Sequence, residues 1–233
     1  MKKPSDLLRA IKNSPHIFVI LALCLAAFCL LAGIASEVRE GETLEIDRLL
    51  LLMLRNPADV TDPIGGPWLE EIMRDLTALG GMFFVSFVTI AGFIYLLVVR
   101  RRAQAAYLLS SIGTGLLFSS LLKYGFDRPR PDLVPHGSIV YTSSFPSGHS
   151  LMSALAYLTL GAMLAEAEKT YGMKVYIMSI AVLMTLLTGF SRVYLGVHWP
   201  SDVLAGWLAG AAWAMMAWLV WARVLHARKK GRH

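Results

Sequence analysis

Between two long apolar runs lies the connection Ser191-Arg192-Val193-Tyr194-Leu195-Gly196-Val197-His198-Trp199-Pro200-Ser201-Asp202. An arginine, a histidine and an aspartate share this short stretch. Ionisable groups beside apolar spans are costly unless they have partners or a task. His198 and Asp202 are four residues apart, and Pro200 suits the first turn of a helix, which places Asp202 just inside it. An aspartate there accepts the proton of one imidazole nitrogen and leaves the other free to attack an electrophile. A lone pair of this kind also serves as a structural hydrogen bond, so the surroundings decide.

Two further clusters supply surroundings. Pro146-Ser147-Gly148-His149 opens an apolar run. Ser147 is placed as the N-cap of a helix. The free N–H groups of its first turn would then face a bound anion, and Gly148 would let the backbone come close. The third cluster holds Lys123, Arg128 and Arg130. An arginine fork grips phosphate oxygens in pairs and a lysine adds a point charge. Lys and Arg at span ends also snorkel toward headgroups. Snorkelling accounts for one such residue better than for four cations, two histidines and an aspartate at one level.

The elements that must bring these clusters together are membrane spans. The chain has 233 residues, 56% hydrophobic and only 16% charged. Soluble domains run at roughly 45–50% apolar and about 25% charged, so a polytopic membrane protein is expected. The net charge of +6 does not point to nucleic acid, because the excess sits in tails and loops beside apolar runs. Cys24 and Cys29 face different ways on one helix, so no disulfide joins them, and no metal-type Cys/His spacing occurs.

Six apolar runs are read as spans: 17–36, 80–99, 105–122, 148–165, 175–190 and 203–221. About 20 residues suffice to cross a hydrocarbon core of ~30 Å. The first run exceeds the usual ~7–15 residues of a signal-peptide core, so a retained helix is expected although Gly33-Ile34-Ala35 resembles a cleavage site. The 37–78 region holds ten acidic residues and four arginines. Within it, Ile46 to Leu54 reads as a short helix lying in the interface or against the bundle and Trp68 to Leu79 as an amphipathic lead-in to the second span. The expected fold is all-α: a six-transmembrane-helix bundle in one domain, 1–233. Its core is 79–223, with short helices in an extracytoplasmic region between the first two spans.

Alternation of six spans fixes sides. The N-terminus, the Arg100–Arg102 turn, the 166–174 turn and the C-terminus share one face and carry fourteen of the 22 Lys and Arg residues. The positive-inside rule makes that face cytoplasmic. Lys123, Ser147, Gly148, His149, Arg192, His198 and Asp202 then all lie on the external side.

The three clusters resemble the signatures of the type 2 phosphatidic acid phosphatase family. Lys123 with Arg130-Pro131 is similar to the first, Pro146-Ser147-Gly148-His149 to the second, and Ser191-Arg192…His198…Asp202 to the third. They match without substitution and in order, with 14 and 41 residues between them. Arg74-Asp75-Leu76-Thr77 also resembles a segment of bacterial members. The resemblance implies a metal-independent reaction through a phosphohistidine, with no cofactor. His198 would be the nucleophile, Asp202 its orienting partner and His149 the general acid. Lys123, Arg130, Ser147, Gly148 and Arg192 would hold the phosphoryl oxygens. Arg128 and His136 have no counterpart and are read as loop residues.

The function expected is hydrolysis of a lipid phosphate or diphosphate taken from the bilayer, at the periplasmic face of a bacterial inner membrane. Candidate substrates are phosphatidic acid, phosphatidylglycerol phosphate, isoprenyl diphosphate and lipid A. A lipid phosphotransferase would use the same phosphohistidine. A vanadate-dependent oxidase on the same cradle fits poorly, since the related haloperoxidases are soluble. A non-catalytic binder would not need His149, His198 and Asp202.

Overall fold

The computed structural model describes residues 15–132 and 143–230; His136 lies outside them. Eight helices occur among the described residues. They are α1 (Pro15–Glu40), α2 (Leu44–Leu52), α3 (Pro67–Ala78), α4 (Met82–Val98), α5 (Arg102–Tyr124), α6 (Gly148–Ala167), α7 (Tyr171–Tyr194) and α8 (Pro200–Lys230). A two-stranded antiparallel ladder, β1 (Arg55–Asn56) with β2 (Asp59–Pro63), is the exception to an all-helical chain. Asn56 turns it by accepting the Ala58 N–H at 3.1 Å.

Five helices are long and apolar enough to cross a membrane: α1, α5, α6, α7 and α8. The sixth span is assembled from two pieces. α4 has 17 residues, and it passes the same test only together with α3, from which it bends by 48°. Pro67 starts α3 at a position where a missing N–H costs nothing. The Tyr157 hydroxyl of α6 donates to the Leu79 carbonyl at 2.9 Å and holds the bend against the bundle.

One apolar core joins α1, α4, α5, α6 and α8 through residues such as Leu31, Val85, Leu108, Leu151 and Ala205. α6 is the central element, packed on both α7 and α8, while α1 packs on α8 and α3 on α7. Gly206 and Gly210 make the α6–α8 contact close. A Cβ on Gly206 would lie 2.6 Å from the Ser147 carbonyl, and one on Gly210 would meet the Leu151 carbonyl. Small residues four apart let two membrane helices approach at backbone distance. The starts of α6 and α8 are thereby set side by side, and the Ser147 N–H donates to the Asp202 carbonyl at 2.9 Å.

Short α2 lies against this end. Asp47 and Leu51 share its inner face, Leu51 packing with Val193 and Val203. Its outer face leaves Leu44, Ile46, Leu49, Leu50 and Met53 exposed. That is the pattern of a helix lying in the lipid interface.

Candidate active site

Four helix ends and one loop form the site. α7 stops in a Schellman turn: the Gly196 N–H bonds the Val193 carbonyl at 2.9 Å and the Val197 N–H bonds the Arg192 carbonyl at 3.1 Å. Gly196 sits at φ +70°, a conformation glycine adopts without steric cost. The turn reverses the chain after Arg192 and delivers His198 beside it, before Pro200 starts α8.

His198 is 2% exposed and Asp202 fully buried. Asp202 Oδ2 lies 3.4 Å from His198 Nδ1 and accepts the Trp199 N–H at 3.0 Å. Ser144 binds both, donating to Asp202 Oδ2 and standing 3.3 Å from Nδ1. On the other side of the ring, Arg130 Nη1 is 3.0 Å from Nε2. A guanidinium only donates, so Nε2 accepts and carries the lone pair, and the proton is assigned to Nδ1. Burial pushes the His198 pKa down to about 4; the Asp202 hydrogen bond opposes this and the Arg130 charge adds to it. Near neutral pH the ring is therefore unprotonated at Nε2.

The cations gather around this nitrogen. Arg130 also donates to the Val197 carbonyl at 2.9 Å, and Arg192 Nη1 to Thr77 Oγ1 at 2.9 Å. Lys123 Nζ donates to the Ser143 carbonyl at 3.1 Å and lies 4.0 Å from where a Cβ on Gly148 would stand. The Nε groups of Arg130 and Arg192 are buried without a hydrogen-bond partner among the described residues. An unsatisfied charged donor costs several kcal/mol in a low-dielectric setting, and two of them in one cluster are suited to anionic oxygens. Burial also lowers the Arg130 pKa, with the Asp202 charge acting against it.

Ser147 caps α6: its Oγ accepts from the Ser150 N–H at 3.5 Å and from the Ser150 hydroxyl at 3.0 Å. Its own hydroxyl proton remains available as a donor. The N–H groups of Gly148 and His149 open α6 and have no acceptor within the helix. His149 sits in the electrostatic field of Arg192, His198, Arg130 and Lys123. The structure thus brings together all eight residues singled out from the sequence.

Arg128 corrects the sequence reading. It is not an idle loop residue, and it is committed to carboxylates rather than free for an anion. Nη1 donates to Asp202 Oδ1 at 2.6 Å and Nη2 to Asp47 Oδ2 at 2.6 Å. Asp47, Ser144 and Thr77 escaped sequence reasoning as members of the site. Asp47 left one trace, a carboxylate four residues before Leu51 inside an apolar run. Thr77 ends the Arg74–Thr77 segment noted above.

Comparison with known proteins agrees with this architecture. The PAP2 superfamily model matches residues 104–225. Phosphatidylglycerophosphatase B of Bacillus subtilis is 37% identical over 153 residues, 62% of this chain and 71% of that protein. Lipid A 1-phosphatase of Rhizobium etli is 30% identical over 177 residues, 66% of this chain and 72% of that protein. The crystal structure of a transmembrane PAP2-type phosphatidylglycerolphosphate phosphatase from Bacillus subtilis aligns with a TM-score of 0.68 at 28% identity, over 85% of this chain and 93% of that one. For Aquifex aeolicus LpxE the TM-score is 0.54 at 26% identity, over 75% and 93%. With the family model covering more than half of its length and the bundle matched as a whole, the chain belongs to the PAP2 superfamily and is a membrane phosphatase of that family.

Proposed function

We propose that the enzyme removes a phosphoryl group from a lipid phosphate or diphosphate through a phosphohistidine on His198, without a metal ion. The observation that carries this is the bare Nε2 of His198, buried beside two guanidinium groups whose Nε–H donors have no partner among the described residues. Nε2 attacks phosphorus and the bond to the lipid oxygen breaks. His149 gives that oxygen a proton, so the lipid leaves as an alcohol or as a monophosphate. A water then attacks phosphorus, His149 takes its proton, the P–N bond breaks, and inorganic phosphate departs from neutral His198. Asp202 holds Nδ1–H and offsets the positive charge that grows on the ring during attack.

Lys123, Arg130, Arg192, the Ser147 hydroxyl and the first-turn N–H groups of α6 surround the transferring oxygens. Prepositioned donors around developing charge are the main source of rate in phosphoryl transfer. Sidedness follows from the charge pattern: the site lies at the span ends opposite Arg100–Arg102 and Lys169–Lys174, so it opens to the periplasm, with both termini cytoplasmic. The named relatives act on phosphatidylglycerophosphate and lipid A, and substrates of that class suit a site at the membrane surface.

The test is phosphate release from phosphatidic acid, phosphatidylglycerol phosphate, undecaprenyl diphosphate and lipid A by purified protein, with and without chelator. Turnover that persists in chelator, with an acid-labile, alkali-stable phosphoenzyme absent from His198→Ala, is expected. Loss of turnover in chelator would overturn the metal-free route. Label appearing on a second lipid instead of in solution would make the enzyme a phosphotransferase. Labelling of a cysteine introduced at residue 136 by a membrane-impermeant reagent in intact spheroplasts tests the orientation.

A further inference from the structure

We propose that Asp47, on the surface helix α2, is a positioning residue for catalysis: acting through Arg128, it fixes the carboxylate of Asp202 and hence the imidazole of His198. This rests on the roles given above to Asp202 and His198. Asp47 does not touch the phosphate cradle. It belongs to a helix outside the spans that carry the three signatures.

The geometry is a chain of charge-assisted hydrogen bonds. The two arms of the Arg128 fork point to different carboxylates. Nη1 donates to Asp202 Oδ1 and, at 2.7 Å, to Ser201 Oγ. Nη2 donates to Asp47 Oδ2 and, at 3.0 Å, to Thr43 Oγ1. Asp47 is tied in turn to the first turn of α8, its Oδ1 accepting the Ser201 N–H at 2.8 Å and its Oδ2 the Ser201 hydroxyl at 2.5 Å. Asp202 therefore divides its oxygens: Oδ1 goes to Arg128, while Oδ2 serves Ser144, the Trp199 N–H and His198 Nδ1.

Asp47 has a specific task in this arrangement. A guanidinium grips a carboxylate side-on with two parallel bonds when nothing competes. By occupying one arm, Asp47 leaves Arg128 a single arm for Asp202. Removing it frees both arms to take both Asp202 oxygens. The carboxylate would then turn away from the imidazole, and Nδ1–H would lose the acceptor that fixes its tautomer. The three side chains are 9%, 2% and 0% exposed for Arg128, Asp47 and Asp202. Water is thus poorly placed to substitute for a missing partner. The outer face of α2, with Ile46 and Leu49 each 64% exposed, has the apolar surface of an interfacial helix, and its inner face reaches the nucleophile through three side chains.

The test is a double-mutant cycle on the full-length enzyme in detergent micelles. It uses whichever of phosphatidic acid, phosphatidylglycerol phosphate and undecaprenyl diphosphate turns over fastest. Asp47→Asn is expected to lower kcat at least tenfold with KM unchanged within twofold and a cooperative thermal transition retained. In an Asp202→Asn background the same change is expected to cost less than threefold, because the residue it acts through is already disabled. Wild-type kcat in Asp47→Asn, or a double variant whose loss is the product of the two single losses, overturns the proposal. Wild-type turnover in Asp202→Asn overturns it as well, and that result alone also removes the underlying role of Asp202. Should Asp47→Asn not yield folded protein, Ser201→Ala takes its place, since it deletes hydroxyl bonds to Asp47 and Arg128 and keeps every charge. A threefold to tenfold drop in kcat at constant KM is then expected, and an unchanged kcat overturns the relay.

Discussion

Arg192 Nη1 donates to Thr77 Oγ1 at 2.9 Å, joining the last turn of α7 to the last turn of α3. The bond ties the bent half of the second span to a cradle otherwise built by the last four spans. It aims a guanidinium whose Nε is still without a partner among the described residues. Thr77→Val removes this acceptor while keeping the shape. A hydrogen bond to a charged group contributes about 1.5–3 kcal/mol, and each 1.4 kcal/mol is about tenfold in affinity. KM for the lipid phosphate should rise by roughly tenfold or more, with kcat less affected; steady-state kinetics on the purified variant decide it.

His198→Ala should abolish turnover, because it removes the nitrogen held against Arg130. His149→Ala should reduce kcat by about 10²–10⁴, the usual range for one lost acid–base group. It should also leave phosphoenzyme trapped when the leaving group needs no proton. Rapid alkaline quench of labelled substrate separates the two variants, and wild-type turnover in either contradicts its role.

The pH profile carries a sign. Burial lowers the His198 pKa to about 4, below the ordinary value of roughly 6.5. The proposed nucleophile is therefore unprotonated across the neutral range, and kcat/KM should fall on the acid side as pH drops through about 4. The same shift acts on folding. An unfolded histidine takes up its proton first, so the stability linked to this group is full above about 6.5 and is lost as pH falls toward 4. An acid limb centred near 6.5 in kcat/KM would contradict the assignment of this limb to His198.

Arg128→Met leaves two buried carboxylates, Asp47 and Asp202, without their shared cation. Breaking a buried ion pair by removing one partner costs about 3–5 kcal/mol. The variant should melt well below the wild type in detergent, more so than Arg74→Met, whose salt bridge to Glu70 is exposed.

Gly210→Ala places a methyl against the Leu151 carbonyl and the Ala154 Cβ, the latter at 2.7 Å. Over-packing of this kind costs typically about 1–3 kcal/mol. Because α6 carries His149 and α8 carries Asp202, turnover should fall together with thermal stability. A variant with normal melting and normal kcat would show that the two helices have room to spare.

The spans were legible because hydrocarbon demands long apolar runs, and such runs are conspicuous. The second was the least complete. α4 is short; the sequence divides lead-in from span at Leu79 and Gly80, and what it does not show is that the two pieces pass as a span only together, bent by 48°. The β1–β2 ladder is too short for strand alternation to register. In the site, Lys123, Arg130, His149, Arg192, His198 and Asp202 sit at span ends, where residue type and position together suggest chemistry. Arg128 has the same type and a similar position, and sequence does not say which cation faces phosphate and which is locked between carboxylates. Asp47 is one of ten acidic residues in its region; only its burial separates it from the others. Ser144 precedes its signature by two residues and reads as an ordinary loop serine.

The main-chain contact at Gly206 and Gly210 has a bearing on how such an enzyme can change its diet. Two helices that meet skeleton to skeleton hold His149 and Asp202 at a spacing no distant side chain can adjust. The bond-breaking apparatus behaves as a fixed tool. Accommodation of a bulkier or slimmer lipid has to be carved into the helices around it.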